Sequence, residues 1–102
     1  IMEELRKEYS EDIIIYGNIL ERFKRLNETD PASAFKLSID ASVAYDRWSE
    51  IKLNKKKSLG RGEKAALKDR LKEMCEFLQD ASTMSRMVWK NARDDLRSNR
   101  GD

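Results

Sequence analysis

The feature that most constrains the fold is a long helical repeat of apolar and small residues near the C-terminus. Between residues 67 and 92 such a residue recurs at alternating steps of four and three, at Leu67, Leu71, Met74, Leu78, Ala81, Ser85, Val88 and Ala92. This spacing keeps to one side of an α-helix. The pattern predicts a helix over residues 63–97, about 50 Å long at 1.5 Å per residue. Because a compact chain of about 100 residues has a radius of gyration near 13 Å, this helix predicts an elongated molecule.

Two further segments are predicted to be helical, over residues 2–27 and 31–56. The first has an apolar stripe of Tyr9, Ile13, Tyr16, Leu20 and Phe23, with a second stripe of Ile15, Ile19 and Leu26 beside it. The other segment has the stripe Ala34, Leu37, Ala41, Ala44, Trp48 and Ile51. It follows Asp30-Pro31, a good N-cap and first helical residue. Residues 35–45 also alternate in the manner of a strand, but no partner strand exists elsewhere, so a helix is favoured.

These segments predict an all-α fold in a single helical domain over residues 1–102. Gly60 and Gly62 mark the break before the last helix, and residues 98–102 are expected to be a frayed tail. The arrangement is expected to be an elongated three-helix bundle, or a long helical hairpin with a third helix against it. Because so slender a shape buries little surface per residue, self-association is expected as well.

The composition argues against catalysis and against a metal site. The chain has no histidine and a single cysteine, so it lacks the commonest general base and cannot form a zinc site from Cys and His. We expect a protein that is not an enzyme and needs no cofactor. The lone Cys75 is expected to be a buried, inert thiol, which fits a reducing, cytoplasmic location. No apolar run approaches 18 residues, so no membrane contact is expected.

The charge distribution is more informative than any motif. The formal net charge is +2, yet residues 52–72 alone hold nine basic and two acidic residues. Such a block favours phosphate backbones, so the sequence predicts nucleic-acid binding around the turn between the second and third helices. The candidate contacts are Lys52, Lys55, Lys56, Lys57, Arg61, Lys64 and Lys68. Two alternatives stay open: the block only solubilises a helix end, or it binds an acidic protein surface.

An apolar surplus suggests a different function, that of a protein-interaction module. The candidate partner or oligomer contacts are Ile14, Phe77, Met84, Met87 and Trp89, unless they only thicken the core. Such a module would be a small subunit of a larger assembly, or an inhibitor of a host protein. Trp89 also lies among Arg86, Lys90 and Arg93, a basic and aromatic cluster in which core packing and base stacking are both open.

Short stretches resemble two kinds of phage protein. Val43–Trp48 and Ala65–Leu71 are similar to phage recombination-mediator proteins, which are helical, oligomeric and bind single-stranded DNA. The Asp30-Pro31 helix with its Lys-rich end is similar in style to the oligomerisation helices of phage small terminase subunits. Both likenesses cover a minority of the chain, and the Gly60–Gly62 break departs from the first family. They imply phage-like DNA metabolism as a context.

Overall fold

The computed structural model describes residues 2–58 and 65–100, and these form an elongated all-α molecule. Its four helices are α1 (Met2–Glu8), α2 (Ser10–Lys24), α3 (Pro31–Ser58) and α4 (Ala65–Arg100). The molecule measures 62 × 20 × 16 Å along its principal axes, which confirms the predicted slender shape. The alternating segment 35–45 lies within α3, so the helical interpretation is confirmed and the strand alternative is wrong.

The long hairpin of α3 and α4 forms the main body of the fold. The two helices are antiparallel, because the Phe35 ring meets Trp89 and, further along α3 but earlier in α4, Ser82 Oγ donates a hydrogen bond to the Ser38 carbonyl. The predicted stripe of α3 is buried along its whole length, and so is that of α4 from Leu67 to Ser85. Because these stripes are rich in alanine and serine, the helices can pack closely.

The N-terminal segment departs from its predicted single helix. It is interrupted at Tyr9, whose φ of −130° and ψ of 47° are not helical, so α1 and α2 are separate helices. Backbone hydrogen bonds from Tyr9 N to Leu5 O (2.8 Å) and from Ile13 N to Tyr9 O (2.9 Å) continue across the break. The packing explains the interruption, since Leu5 is buried and the Tyr9 ring lies 6.4 Å from that of Trp48.

Helix α2 packs against the hairpin through an aromatic cluster. Tyr16 makes edge contacts with Trp48 and Phe77, at centroid distances of 6.3 and 5.7 Å, and Phe23 meets Phe77 at 5.5 Å. Trp48 is therefore a core residue, as predicted. Ile15 of the predicted second stripe is instead 49% exposed, because it lies beyond the part of α2 that faces the hairpin.

The helix limits differ from the predicted ones by a few residues. Asp30 caps α3 as predicted: its carboxylate accepts hydrogen bonds from Ser33 N at 3.2 Å and Ser33 Oγ at 2.7 Å. Helix α2 ends at Lys24 rather than at residue 27. Helix α4 continues to Arg100, and the frayed tail over residues 98–102 stays a prediction. Residues 59–64 and 101–102 lie outside the described residues. No helix within the described ranges is long and apolar enough to cross a membrane.

A candidate nucleic-acid interface

The residues of the predicted basic block differ in exposure and in ion pairing. Lys52, Lys56, Lys57 and Lys68 are exposed. Lys55 is instead half-buried: it forms an ion pair with Glu8 of α1 and lies 5.6 Å from the centre of the Tyr9 ring. Arg61 and Lys64 lie outside the described residues.

Helix α4 has a basic stripe that extends far beyond the predicted block. Six cations follow the same steps of three and four as the core residues, but on a neighbouring side: Lys68, Lys72, Arg86, Lys90, Arg93 and Arg97. At 3.6 residues per turn, they fall within a sector of about 60°. Cys75, Gln79 and Ser82 fill the gap between the second and third of them. Among the described residues of α4, no carboxylate lies in this sector.

The acidic residues of α4 occupy a different part of the helix surface. They are Asp69, Glu73, Glu76, Asp80, Asp94 and Asp95, and by helical geometry all of them lie outside the basic sector. A helix that merely balances its charges for solubility typically alternates the two signs along one face. Here the signs are separated around the helix axis instead, so one side of α4 carries cations near both of its ends and no carboxylate among the described residues.

Contacts with α3 show which way this stripe faces. Cys75, in the middle of the stripe, is buried in the core, and Ser82 Oγ donates a hydrogen bond to the Ser38 carbonyl of α3 at 2.9 Å. Burial raises the pKa of the Cys75 thiol above its ordinary value, an effect that Ser49 and the charge of Lys52 oppose. The other flank of α4 carries Phe77, which packs on α2. The stripe therefore lies on the side of the hairpin away from α2.

Lysines of α3 extend the positive surface across the hairpin. Lys52 lies close enough to Cys75 to act on its charge, and Lys56 follows one turn later on the same side of α3. We call the combined surface the basic face. Its members are Lys52, Lys56, Lys68, Lys72, Arg86, Lys90, Arg93 and Arg97. All but Arg93 are exposed.

Three arginines on the α2 side of the molecule are paired with carboxylates. Arg22 of α2 bonds Asp40 at 2.8 Å, and Arg70 of α4 lies 3.5 Å from Glu73. Arg47 Nε is 3.2 Å from Asp12, and the hydrogen bond to this carboxylate raises the pKa of the Arg47 guanidinium. Of the basic-face residues, one takes part in an ion pair among the described residues: the Arg93 guanidinium lies 3.8 Å from Asp94.

An aromatic pair lies at the far end of the basic face. The rings of Phe35 and Trp89 are 4.8 Å apart at an angle of 40°, and the Arg93 guanidinium lies 4.9 Å from the Trp89 ring centre. A shallow depression beside them has a volume of about 460 Å³ and is lined in part by Arg86, Lys90 and Arg93. Phe35 was not among the sequence-predicted site residues, because nothing in one sequence says that α3 brings it to Trp89.

The predicted partner contacts do not form one surface. Phe77 is partly buried and packs against α2 and the core, which fits the alternative of a thicker core, and Trp89 is half-buried against Phe35. Met84 and Met87 are exposed on α4. Ile14 is 69% exposed on α2, where it lines an apolar groove of about 660 Å³ between α2 and α3.

Comparison with known proteins gives no further guide to function. No family model matches the chain, and no curated protein or solved structure matches it either. Within residues 2–58 and 65–100 there is also no group of three or more potential Cys, Asp or Glu metal ligands. The candidate site is therefore defined by charge and aromatic geometry alone.

Proposed function

We propose that this protein is a non-enzymatic, self-associating helical accessory protein that binds the phosphate backbone of nucleic acid through the basic face. The observation that carries the proposal is the separation of charge on α4, with six cations and no carboxylate in one sector of the described helix. From Lys68 to Arg97 this sector is about 44 Å long at 1.5 Å per residue. Two groups of cations along one side, Lys68 with Lys72 and then Arg86 to Arg97, attract a polyanion that runs along the helix.

The pairing of charges supports the same proposal. On the α2 side, Arg22, Arg47 and Arg70 already have a carboxylate partner within the protein. A ligand phosphate would have to compete with that partner. Exposed lysines of the basic face, such as Lys68 and Lys72, are in none of the ion pairs found among the described residues. They can neutralise phosphates at little cost to the fold, and such contacts give affinity without base readout.

The proposal therefore moves the interface from the turn to the length of the hairpin. Lys52, Lys56 and Lys68 keep their predicted role as backbone contacts. Lys57 is exposed but follows Lys56 by one residue, which points it about 100° away from the basic face. Lys55 is engaged by Glu8 and Tyr9 and is left out. A cytoplasmic location and phage-like DNA metabolism remain part of the proposal as context.

A salt titration with matched charge variants tests the proposal. Binding of a labelled oligonucleotide is measured by fluorescence anisotropy from about 50 to 500 mM salt. If about six cations contact phosphates, the log–log slope is about −4 on a single strand and about −5 on a duplex. The quadruple variant Lys68→Glu, Lys72→Glu, Arg86→Glu and Lys90→Glu should lose affinity by at least about 100-fold at low salt.

The control changes the net charge equally but elsewhere. Arg6, Lys7, Lys24 and Arg25 are exposed cations of the N-terminal segment, and their quadruple change to Glu should weaken binding far less. Gln variants of the same basic-face residues remove the positive charges without adding negative ones, so they show whether charge reversal itself destabilises α4. Circular dichroism checks that each variant is folded. The proposal fails if the natural protein shows no binding at about 50 mM salt, or if both charge-reversed variants weaken it equally.

The second candidate function is a protein-interaction module that uses the apolar groove between α2 and α3. Ile14, Ile15 and Val43 line this groove and are 69%, 49% and 64% exposed. Light scattering tests whether the groove drives self-association. An oligomer that Val43→Glu converts to monomer favours this function, whereas a strict monomer at all concentrations removes self-association from both proposals.

A further inference from the structure

We infer that Phe35 and Trp89 form a stacking platform for unpaired nucleobases, so that the ligand of the basic face is single-stranded nucleic acid. This inference rests on the proposed function and adds its ligand class. Phe35 lies on α3 and Trp89 on α4, and their rings are 4.8 Å apart. The Arg93 guanidinium, 4.9 Å from the Trp89 ring centre, adds a third planar group to the cluster.

The exposure of Phe35 distinguishes the pair from the aromatic cluster in the core. Tyr16 and Trp48 are 8% and 1% exposed and are enclosed by three helices, whereas Phe35 is 42% exposed. The Phe35 ring thus contacts Trp89 and still presents a large part of its surface to solvent. An aromatic ring that is fixed by a neighbour and open to solvent is the geometry on which bases stack, with affinity that hardly depends on sequence.

The charges around the pair fit a nucleic-acid strand. Arg86, Lys90, Arg93 and Arg97 all lie within about two turns of Trp89 and belong to the basic stripe. A strand whose phosphates follow this stripe passes directly beside the aromatic pair. Arginine guanidinium groups also stack on bases and attract phosphates, so Arg93 can serve both parts of a nucleotide.

The position of the pair determines which nucleic acid can use it. In a duplex, each base is stacked on its neighbours and paired to the opposite strand, so its flat face is not available to a protein side chain. Unpaired bases can turn outward and stack on aromatic rings. The basic stripe alone would bind both forms through their phosphates, but the aromatic pair favours the form with free bases.

Trp89 supplies a direct optical test. The chain has two tryptophans, and Trp48 is 1% exposed, so the variant Trp48→Phe leaves the emission of Trp89 alone. Three probes of equal length are compared: oligothymidylate, an abasic oligonucleotide with the same phosphates, and a duplex. We expect quenching of Trp89 by oligothymidylate only, and about tenfold weaker binding of the abasic probe for each base that stacks.

Matched variants separate stacking from charge. Phe35→Ala should reduce the preference for oligothymidylate over the abasic probe by about tenfold, with the salt slope unchanged, and Phe35→Tyr should restore it. Ile39→Ala is the control, since Ile39 is 48% exposed one turn away on α3 and should have no effect. If Trp48→Phe fails to fold, collisional quenching by iodide in the natural protein reports Trp89, since Trp48 is shielded.

The outcomes for the platform and for the proposed function are distinguishable. Equal binding of all three probes, with a steep salt slope and no Trp89 quenching, overturns the platform and leaves the basic face intact. No salt-dependent binding of any probe overturns the proposed function and the platform together. Quenching by an acidic aromatic peptide at lower concentrations than by oligothymidylate overturns the platform in favour of a protein ligand.

Discussion

The two sides of the α3–α4 hairpin differ in how several of their cations are paired. On the α2 side, Arg22 and Arg47 bridge α2 to α3 through Asp40 and Asp12. On the opposite side, Lys52, Lys68 and Lys72 are exposed and belong to none of the ion pairs of the described residues. The first set holds a helix in place, whereas the second set contributes nothing visible to the fold.

This difference teaches how to separate structural from functional charge in a chain that is 39% charged. Surface ion pairs contribute little each, typically about 0.2–1 kcal/mol, but they fix which helix lies where. A row of like charges destabilises a helix slightly through repulsion. The proposed polyanionic ligand would account for the concentration of such charges on one side.

The largest expected effect is a loss of stability from a change in the buried seam, the side chains of the α3 and α4 stripes that pack against each other between the two sides. Leu78 is fully buried between α3 and α4, and Leu78→Ala should lower the free energy of unfolding by about 3 kcal/mol. Urea denaturation followed by circular dichroism measures this loss. Gln79→Ala, at the exposed neighbouring position, should change stability by less than about 0.5 kcal/mol. A similar loss for both variants would contradict the claim that burial of Leu78 stabilises the hairpin.

A smaller effect distinguishes the two sets of cations directly. A double-mutant cycle with Arg22→Met and Asp40→Asn should give a coupling energy of about 0.5–1 kcal/mol, because the pair bridges α2 and α3 and is partly shielded from water. Lys72→Met should leave the unfolding free energy within about 0.5 kcal/mol and weaken oligonucleotide binding instead. If the Arg22→Met variant keeps its fold but loses oligonucleotide binding, the distinction between structural cations on the α2 side and ligand-binding cations on the basic face is wrong.

The smallest expected effect is a fall in stability at alkaline pH from two groups that flank the seam. Burial raises the pKa of the Tyr16 hydroxyl on the α2 side and that of the Cys75 thiol on the other side. The unfolded chain releases these protons near their ordinary values of 10.0 and 9.0, while the folded chain retains them. Stability is therefore complete below about pH 9 and is lost as the pH rises further.

Variants assign this alkaline loss to each group. Cys75→Ala should remove its earlier part, near pH 9, and Tyr16→Phe its later part, near pH 10. Melting temperatures between pH 7 and 10.5 provide the measurement, each variant being compared with its own value at pH 7. A pH profile that neither substitution alters would mean that these buried groups do not titrate differently on unfolding.

The sequence predicts the hairpin well and the N-terminal segment less well. The stripes of α3 and α4 repeat regularly, so burial follows from spacing alone. The interruption at Tyr9 leaves no such signal, because it is imposed by packing on Trp48 and by Lys55, both distant in sequence. Tertiary contacts of this kind override local helix preference.

The candidate site shows the same division between local and distant information. The basic block near the turn is visible from composition, and the longer stripe on α4 follows from its steps of three and four, a spacing that also links Arg86 and Arg97 to Lys68. The ion pair that occupies Lys55 and the pairing of Phe35 with Trp89 both join residues more than forty positions apart. One sequence carries no signal for either, because periodicity describes only a single helix at a time.

The small residues at the seam have a consequence for how a ligand would be held. Ala41, Ala44 and Ala81 are buried in the core, and such small side chains let α3 and α4 approach closely. A closely packed pair of helices would hold the charges on its surface at a set spacing. A flexible strand that binds such a pair must adopt the geometry of the protein. The loss of conformational entropy on association then falls almost entirely on the ligand, because the receptor is organised in advance.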